Sequence, residues 1–166
     1  MPIYAVPTPY GPIRICISGR AVRSLKLPGL RRGSAQPEKS RTPSFPPLAR
    51  RLNHYFTGKT VSFHRVRVDK FPYPPFTRRV LEACSRIPYG RTLSYGELAE
   101  KIGAPRAARA VGHALASNRV PVIVPCHRVI RSDGKIGRYS GGAGWKRRLL
   151  AMEGCRAASL TVKKTQ

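Results

Sequence analysis

Apolar and polar positions alternate over Ile13, Ile15 and Ile17, with Arg14, Cys16 and Ser18 between them, which is the period of a strand with one buried face. Ser18-Gly19-Arg20 offers a turn into a second strand, so residues 3–27 are expected to form a small antiparallel sheet. Cys16 falls on the polar phase and is assigned no chemistry. Residues 28–47 carry little apolar content and much Pro, Gly, Ser and Arg, and read as an exposed basic loop. Leu48, Leu52 and Tyr55/Phe56 then recur at helical spacing, with Gly58 as the stop and His54 as a structural passenger. Alternation returns over residues 61–68 with one phase shift, predicting another strand. Phe71-Pro72-Tyr73-Pro74 is stiff enough to connect two units, which divides the chain into residues 1–71 and 72–166.

The second unit reads as mainly helical. A helix opens at Pro75 and carries Phe76, Val80, Leu81 and Cys84 along one face, so Cys84 belongs to the core. Ser94 followed three residues later by Glu97 is a capping box, and the helix it starts ends at Gly103. A second helix is expected from Pro105 to about Ser117, completing a helix-turn-helix pattern. Its Ala107, Ala108, Ala110, Gly112, Ala114 and Ala116 leave much of its surface bare. That suits close backbone approach to a partner or close packing inside the protein, and the adjacent Arg106 and Arg109 favour DNA. Val122, Ile123 and Val124 form a short unbroken apolar run, the mark of a strand buried on both faces, with Pro125 at its exit. Beyond it come an Asp133-Gly134 turn, a glycine-rich loop over residues 137–144 and a basic amphipathic helix from Trp145, closed by Gly154. Glu153 sits at that helix's end, where the dipole disfavours a carboxylate. Either a specific partner or plain surface exposure accounts for it.

Charge narrows the partners. The 166 residues hold 32 Lys+Arg against 7 Asp+Glu, a formal net charge of +25 that repels itself unless a polyanion is near. Nucleic acid is the polyanion that fits best, with a membrane surface or an RNA-rich assembly attracting the same charge. No apolar run approaches the ~20 residues that span a bilayer. The opening MPIYAVPTPYGP is proline-rich and lacks a basic n-region, so a cytoplasmic, soluble protein is expected. The four cysteines are far apart, with no C-x-x-C pair, which argues against a zinc finger.

Candidate chemistry centres on Cys126. At the exit of a buried segment, beside His127 and Arg128, it reads either as a thiolate nucleophile whose pKa nearby cations lower, or as a small core hydrophobe. His127 can reach the sulfur only if the backbone bends after Cys126 or a water bridges the gap.

PCHRV at Pro125 to Val129, preceded by IPYGRTLSYGELAEKIG and RAVGHALASN, resembles the O6-alkylguanine-DNA alkyltransferases over residues 71–154, with a looser echo in Tyr55-Phe56-Thr57-Gly58. The resemblance implies a mixed α+β (α/β) chain: a small N-terminal ribonuclease-H-like β-sheet domain, then a mainly helical, winged-helix-like DNA-binding domain. It implies a monomeric DNA repair protein that flips O6-alkylguanine from double-stranded DNA and transfers the alkyl group irreversibly to its own cysteine, once per molecule and without a cofactor. Cys126 would be the acceptor, His127 the base through a water, Glu153 the residue orienting His127, and Asn118 the hinge. Tyr95 and Ser140 would bond the guanine, Lys146 would assist, and Val129, Tyr139 and Gly141 would line the pocket. Arg109 would be the arginine finger, with Arg106, Ala108, Gly112 and Arg128 also on the DNA. The Cys/His zinc ligands of some members have no clear counterpart here, so no metal is expected. A non-catalytic protein that flags alkylated bases, and an architectural protein using charge alone, are the competing readings. The first leaves Cys126 inert; the second leaves Cys126, His127, Asn118 and Glu153 unexplained.

Overall fold

The computed structural model describes residues 3–29, 46–69 and 73–155. Three antiparallel strands, β1 (Ile3–Val6), β2 (Ile13–Ser18) and β3 (Ala21–Lys26), lie in the order β1-β2-β3, with Ile15 opposite both Tyr4 and Leu25. The alternation of β2 is realised directly: Ile13, Ile15 and Ile17 are buried, and Arg14, Cys16 and Ser18 are half-exposed on the other face. Helix α1 (Pro46–Phe56) buries Leu48, Leu52, Tyr55 and Phe56, the four apolar positions of its helical period.

The strand expected over residues 61–68 does not form. His64 and Arg65 turn, Val66 N–H bonds the Phe63 carbonyl, and only Val68 makes a single bridge, to Val22 of β3. The phase shift in the alternation is that turn. Most of the basic loop placed at 28–47 and the connector at 71–72 lie outside the described residues.

Helix α2 (Pro75–Ser85) starts at its proline and buries Thr77, Val80, Leu81 and Cys84. Strand β4 (Leu93–Ser94) leads into α3 (Tyr95–Lys101) through the complete capping box: Ser94 Oγ accepts from Glu97 N–H, and Glu97 Oε2 accepts from Ser94 N–H. Helix α4 (Ala108–Ala116) begins three residues later than Pro105, because residues 105–107 are used in the turn that Ala107 N–H closes onto the Ala104 carbonyl. Strand β5 (Val129–Ile130) pairs in parallel with β4, and α5 (Ala143–Met152) closes the described fold.

The apolar run before Cys126 is a buried turn, not a strand. Val124 N–H bonds the Val120 carbonyl, and Val122 takes φ +74, which strains a β-branched residue. Residues 120–125 are all buried, and Pro121 and Pro125 leave too few donors for a ladder. The Asn118 side chain supplies the missing bonds, accepting from Val120 N–H at 3.0 Å and donating to the Val124 carbonyl at 2.9 Å.

One apolar core runs from Tyr4 through Leu52, Val80 and Leu98 to Leu149, so sheet and helices share it. The mixed α+β class that the resemblance implies is the observed one. Among the described residues no helix is long and apolar enough to cross a membrane.

The capping box is testable in isolation. Ser94→Ala removes the acceptor for Glu97 N–H and is expected to lower unfolding free energy by about 1 kcal/mol in urea titrations, with an unchanged m-value.

Candidate active site

Cys126 opens a single 3-10 turn, Cys126–Arg128, wedged between the buried turn and β5. The His127 and Arg128 side chains of this turn both reach Glu153 at the end of α5. Cys126 is only 5% exposed, and its Sγ accepts a hydrogen bond from Asn118 Nδ2 at 3.0 Å. Asn118 thus braces the buried turn and holds the sulfur in one gesture.

The expected low-pKa thiolate is not the resting state. Burial pushes the Cys126 thiol up to about 11, and the Asn118 amide, the Lys146 ammonium and nearby backbone donors reduce that rise without cancelling it. The cations assigned to the sulfur by sequence proximity are spent elsewhere, on Glu153.

Glu153, at the C-terminal cap of α5, has a fully buried side chain ringed by donors. Its Oε1 accepts from His127 Nε2 at 2.8 Å, Tyr55 Oη at 2.5 Å and Arg128 Nη2 at 3.0 Å. Its Oε2 accepts from Arg128 Nε at 2.8 Å and Gly90 N–H at 3.2 Å. A side chain on Gly90 would press on the Glu153 carbonyl at 3.2 Å, and its φ of +75 suits glycine. Burial alone would raise this carboxyl's pKa, but the bonds and charges of His127 and Arg128 outweigh it and bring it down to about 2.

An ionised carboxylate only accepts, so the Nε2 that faces Glu153 carries a proton. His127 Nδ1 is buried with no hydrogen-bond partner among the described residues. Desolvation lowers the His127 pKa against the pull of Glu153, so the neutral Nε2–H tautomer is the resting form and Nδ1 keeps a free lone pair. The ring meets Tyr139 edge-on at 6.4 Å between centroids. Among the described residues the Tyr139 hydroxyl is the other buried side-chain polar atom without a hydrogen-bond partner.

Arg128 does not face solvent, contrary to the DNA contact expected of it. It is 5% exposed, binds Glu153 through two nitrogens, and donates Nη1 to the Ile87 carbonyl at 2.5 Å. Its charge is consumed inside the fold because a buried carboxylate needs a fixed, bidentate partner. Lys146 is also buried. It donates to the Val129 carbonyl at 2.6 Å and the Arg138 carbonyl at 3.3 Å, lies 5.8 Å from the Tyr95 ring centre, and burial lowers its pKa to about 8.

Ser140 is exposed, and with Gly141, Asn118, Pro121 and Trp145 it borders a cavity of about 610 Å³ whose other wall is the end of β3. A Cβ on Gly141 would stand 2.7 Å from the Tyr139 ring, so the pocket loop requires glycine there. Arg106, in the turn before α4, and Arg109, on α4, are exposed, and Ala108 is half-buried. Gly112 is half-buried, and a Cβ there would meet the Tyr95 ring at an ordinary contact distance of 3.7 Å, so packing against Tyr95 does not by itself require glycine.

The structure therefore gathers Cys126, His127, Glu153, Asn118, Lys146 and Tyr139 around one buried point, with Tyr95 beside Lys146. Sequence reading missed Tyr55 and Gly90. Helical spacing marked Tyr55 as core, and nothing in an apolar pattern reveals where a hydroxyl points.

Residues 75–155 match the family model described as 6-O-methylguanine DNA methyltransferase, DNA binding domain. The methylated-DNA–protein-cysteine methyltransferase of Mycobacterium tuberculosis is 41% identical over 162 residues, 95% of either chain. The crystal structure of M. tuberculosis OGT in complex with DNA is similar at TM-score 0.76 and 37% identity, covering 93% of both chains. That of the O6-methylguanine-DNA methyltransferase from the archaeon Pyrococcus kodakaraensis shares the fold at TM-score 0.69 and 24% identity, covering 92% of this chain and 98% of its own.

The Glu153 cluster makes stability depend on acid. A carboxyl held near pH 2 in the folded state against 4.5 outside it stabilises fully above pH 4.5, and that stability is lost as pH falls toward 2. The loss is of order 3 kcal/mol. Urea midpoints measured from pH 7 to pH 3 should fall steeply for the wild type, and Glu153→Gln should remove most of that slope while lowering the midpoint at pH 7. Arg128→Met leaves Glu153 short of its bidentate partner and should cost about 3 kcal/mol or more in the same assay.

Proposed function

Because this chain belongs to the methylated-DNA–protein-cysteine methyltransferase family, we propose that it repairs double-stranded DNA by moving the alkyl group of an extruded O6-alkylguanine onto Cys126 Sγ. The observation that carries this reading is the Cys126 sulfur held by Asn118 beside a neutral histidine whose Nδ1 is unengaged.

The thiol must lose its proton to attack. His127 Nδ1 takes it through a bridging water, and Glu153, already bonded to Nε2, stabilises the imidazolium that forms. Sulfur then attacks the alkyl carbon in line, the S–C bond forms, and the C–O electron pair returns to the guanine. A proton replaces the alkyl group on the base, so the thiol's proton and guanine's alkyl group exchange owners. Tyr95 and Ser140 donate toward the ring where charge develops, and Lys146 lies near enough to Tyr95 to support its donation. Val129, Tyr139 and Gly141 bound the pocket.

A thiol with pKa about 11 is a poor nucleophile until a base removes its proton. That protects Cys126 from adventitious alkylation and reserves reaction for a base seated in the pocket. The guanine must leave the stack to reach a sulfur that is 5% exposed, so base flipping is part of the same reading. Arg109, exposed on α4, fills the gap left behind, while Arg106 and Ala108 lie along the DNA. The thioether has no route back to thiol, so each molecule, acting as a monomer, reacts once. The division near residue 71 into a sheet-bearing unit and a DNA-binding unit belongs to this proposal.

The test is incubation with a duplex containing one O6-methylguanine, followed by intact and peptide mass spectrometry. One methyl group per molecule on the Cys126 peptide, absent in Cys126→Ser, is expected. Tight lesion binding without transfer would replace this reading with damage recognition. In the absence of DNA, iodoacetamide should modify Cys126 at pH 7 at least ~10-fold more slowly than a free cysteine, whose pKa is about 8.5.

A further inference from the structure

Among the described residues of the stretch 3–69, Tyr55 is the one whose polar group reaches the Glu153 cluster. It comes from α1, far in sequence from the rest of the site, and its side chain is wholly buried. The ring packs edge-on against Phe56, Phe63 and Tyr89 at 5.2, 5.7 and 6.0 Å. A phenylalanine would serve that packing equally well. The hydroxyl, however, lies 2.5 Å from Glu153 Oε1 and 3.3 Å from His127 Nε2. Since Nε2 carries its proton toward Glu153, it cannot accept from Tyr55, and the hydroxyl's proton goes to Oε1. That is the same oxygen that receives His127.

We propose that Tyr55 is a positioning residue for alkyl transfer: by sharing Glu153 Oε1 with His127, its hydroxyl keeps the carboxylate from drawing His127 into a permanent imidazolium. This rests on the reading of His127 as the base for Cys126. An Oε1 shared with fewer donors would stabilise the protonated ring more strongly, and a protonated ring has no lone pair to offer. Oε1 already accepts from Arg128 Nη2, and the Tyr55 hydroxyl is a third donor that withdraws further charge from it and leaves the imidazole neutral until the thiol's proton arrives.

The groups that face His127 are Glu153 from the end of α5, Tyr55 from α1, Lys146 within α5, Tyr139 from the pocket loop, and Cys126 and Arg128 on its own turn. Lys146 and Arg128 oppose a positive ring, and Glu153 alone favours it. Moderating Glu153 therefore moves the balance directly. Burial and the neighbouring Glu153 raise the Tyr55 pKa well above its ordinary value, so the hydroxyl remains a donor across the working pH range.

The experiment measures the single-turnover rate constant for methyl transfer from a saturating O6-methylguanine duplex between pH 5 and pH 9. Wild type, Tyr55→Phe and Tyr89→Phe are compared. Tyr89 lies beside Tyr55, and among the described residues its hydroxyl bonds only the Met152 carbonyl, so its variant controls for loss of a nearby hydroxyl. In Tyr55→Phe the acid limb of the profile should move up by roughly half to one pH unit, with rates converging on wild type at high pH. DNA affinity should be unchanged, and Tyr89→Phe should follow the wild-type profile. Superimposable wild-type and Tyr55→Phe profiles, with wild-type transfer intact, would overturn the role of Tyr55 alone. A uniform drop at all pH values would reduce it to packing and overturn it too. Absence of transfer by wild type would remove the alkyl-transfer reading and this inference together.

Discussion

A single buried carboxylate organises this protein. Glu153 accepts from Tyr55 of α1, from Gly90 in the turn before β4, and from His127 and Arg128 of the turn that carries Cys126. Three separated stretches of chain thus converge on the two carboxylate oxygens at the end of a fourth, α5. An unmatched carboxylate could not persist at that depth, so each donor is required, and each fixes the segment that bears it. The helix-end position of Glu153, unfavourable for an anion on dipole grounds alone, is tolerable because Arg128 supplies a full opposing charge.

The same knot explains why Cys126 rests as a thiol. Both basic neighbours in sequence, the neutral His127 ring and the Arg128 cation, are turned to Glu153, and the sulfur is left with an amide donor from Asn118. Lys146, the remaining cation nearby, is held by the Val129 and Arg138 carbonyls. The site is therefore poised rather than charged. Proton removal waits on His127, whose own state is governed by the carboxylate. Most of the excess positive charge lies elsewhere, on exposed arginines such as Arg106 and Arg109, where it suits a phosphate backbone.

Much of this was legible before any coordinates. The isoleucine alternation of β2, the proline start of α2 and the Ser94–Glu97 capping box all rest on local rules that tertiary structure did not override. The pairing of His127 with Glu153 followed from motif resemblance rather than from any periodicity. The failures share a cause. Three apolar residues between prolines read as a strand because burial was visible and backbone direction was not, whereas Asn118 makes a turn possible there. The surface role expected of Arg128 failed because a one-dimensional reading of charge cannot tell a buried counterion from an exposed one. Tyr55 was hidden in an aromatic core pattern, since its hydroxyl meets a partner 98 positions away.

The account turns on the protonation state that Glu153 imposes on His127. Nitrogen-15 NMR of the histidine ring in the folded, DNA-free protein reads that state directly. At pH 7 the account predicts a neutral His127 ring with the proton on Nε2 and an unprotonated Nδ1. An imidazolium with both nitrogens protonated, or a neutral ring with the proton on Nδ1, would contradict it.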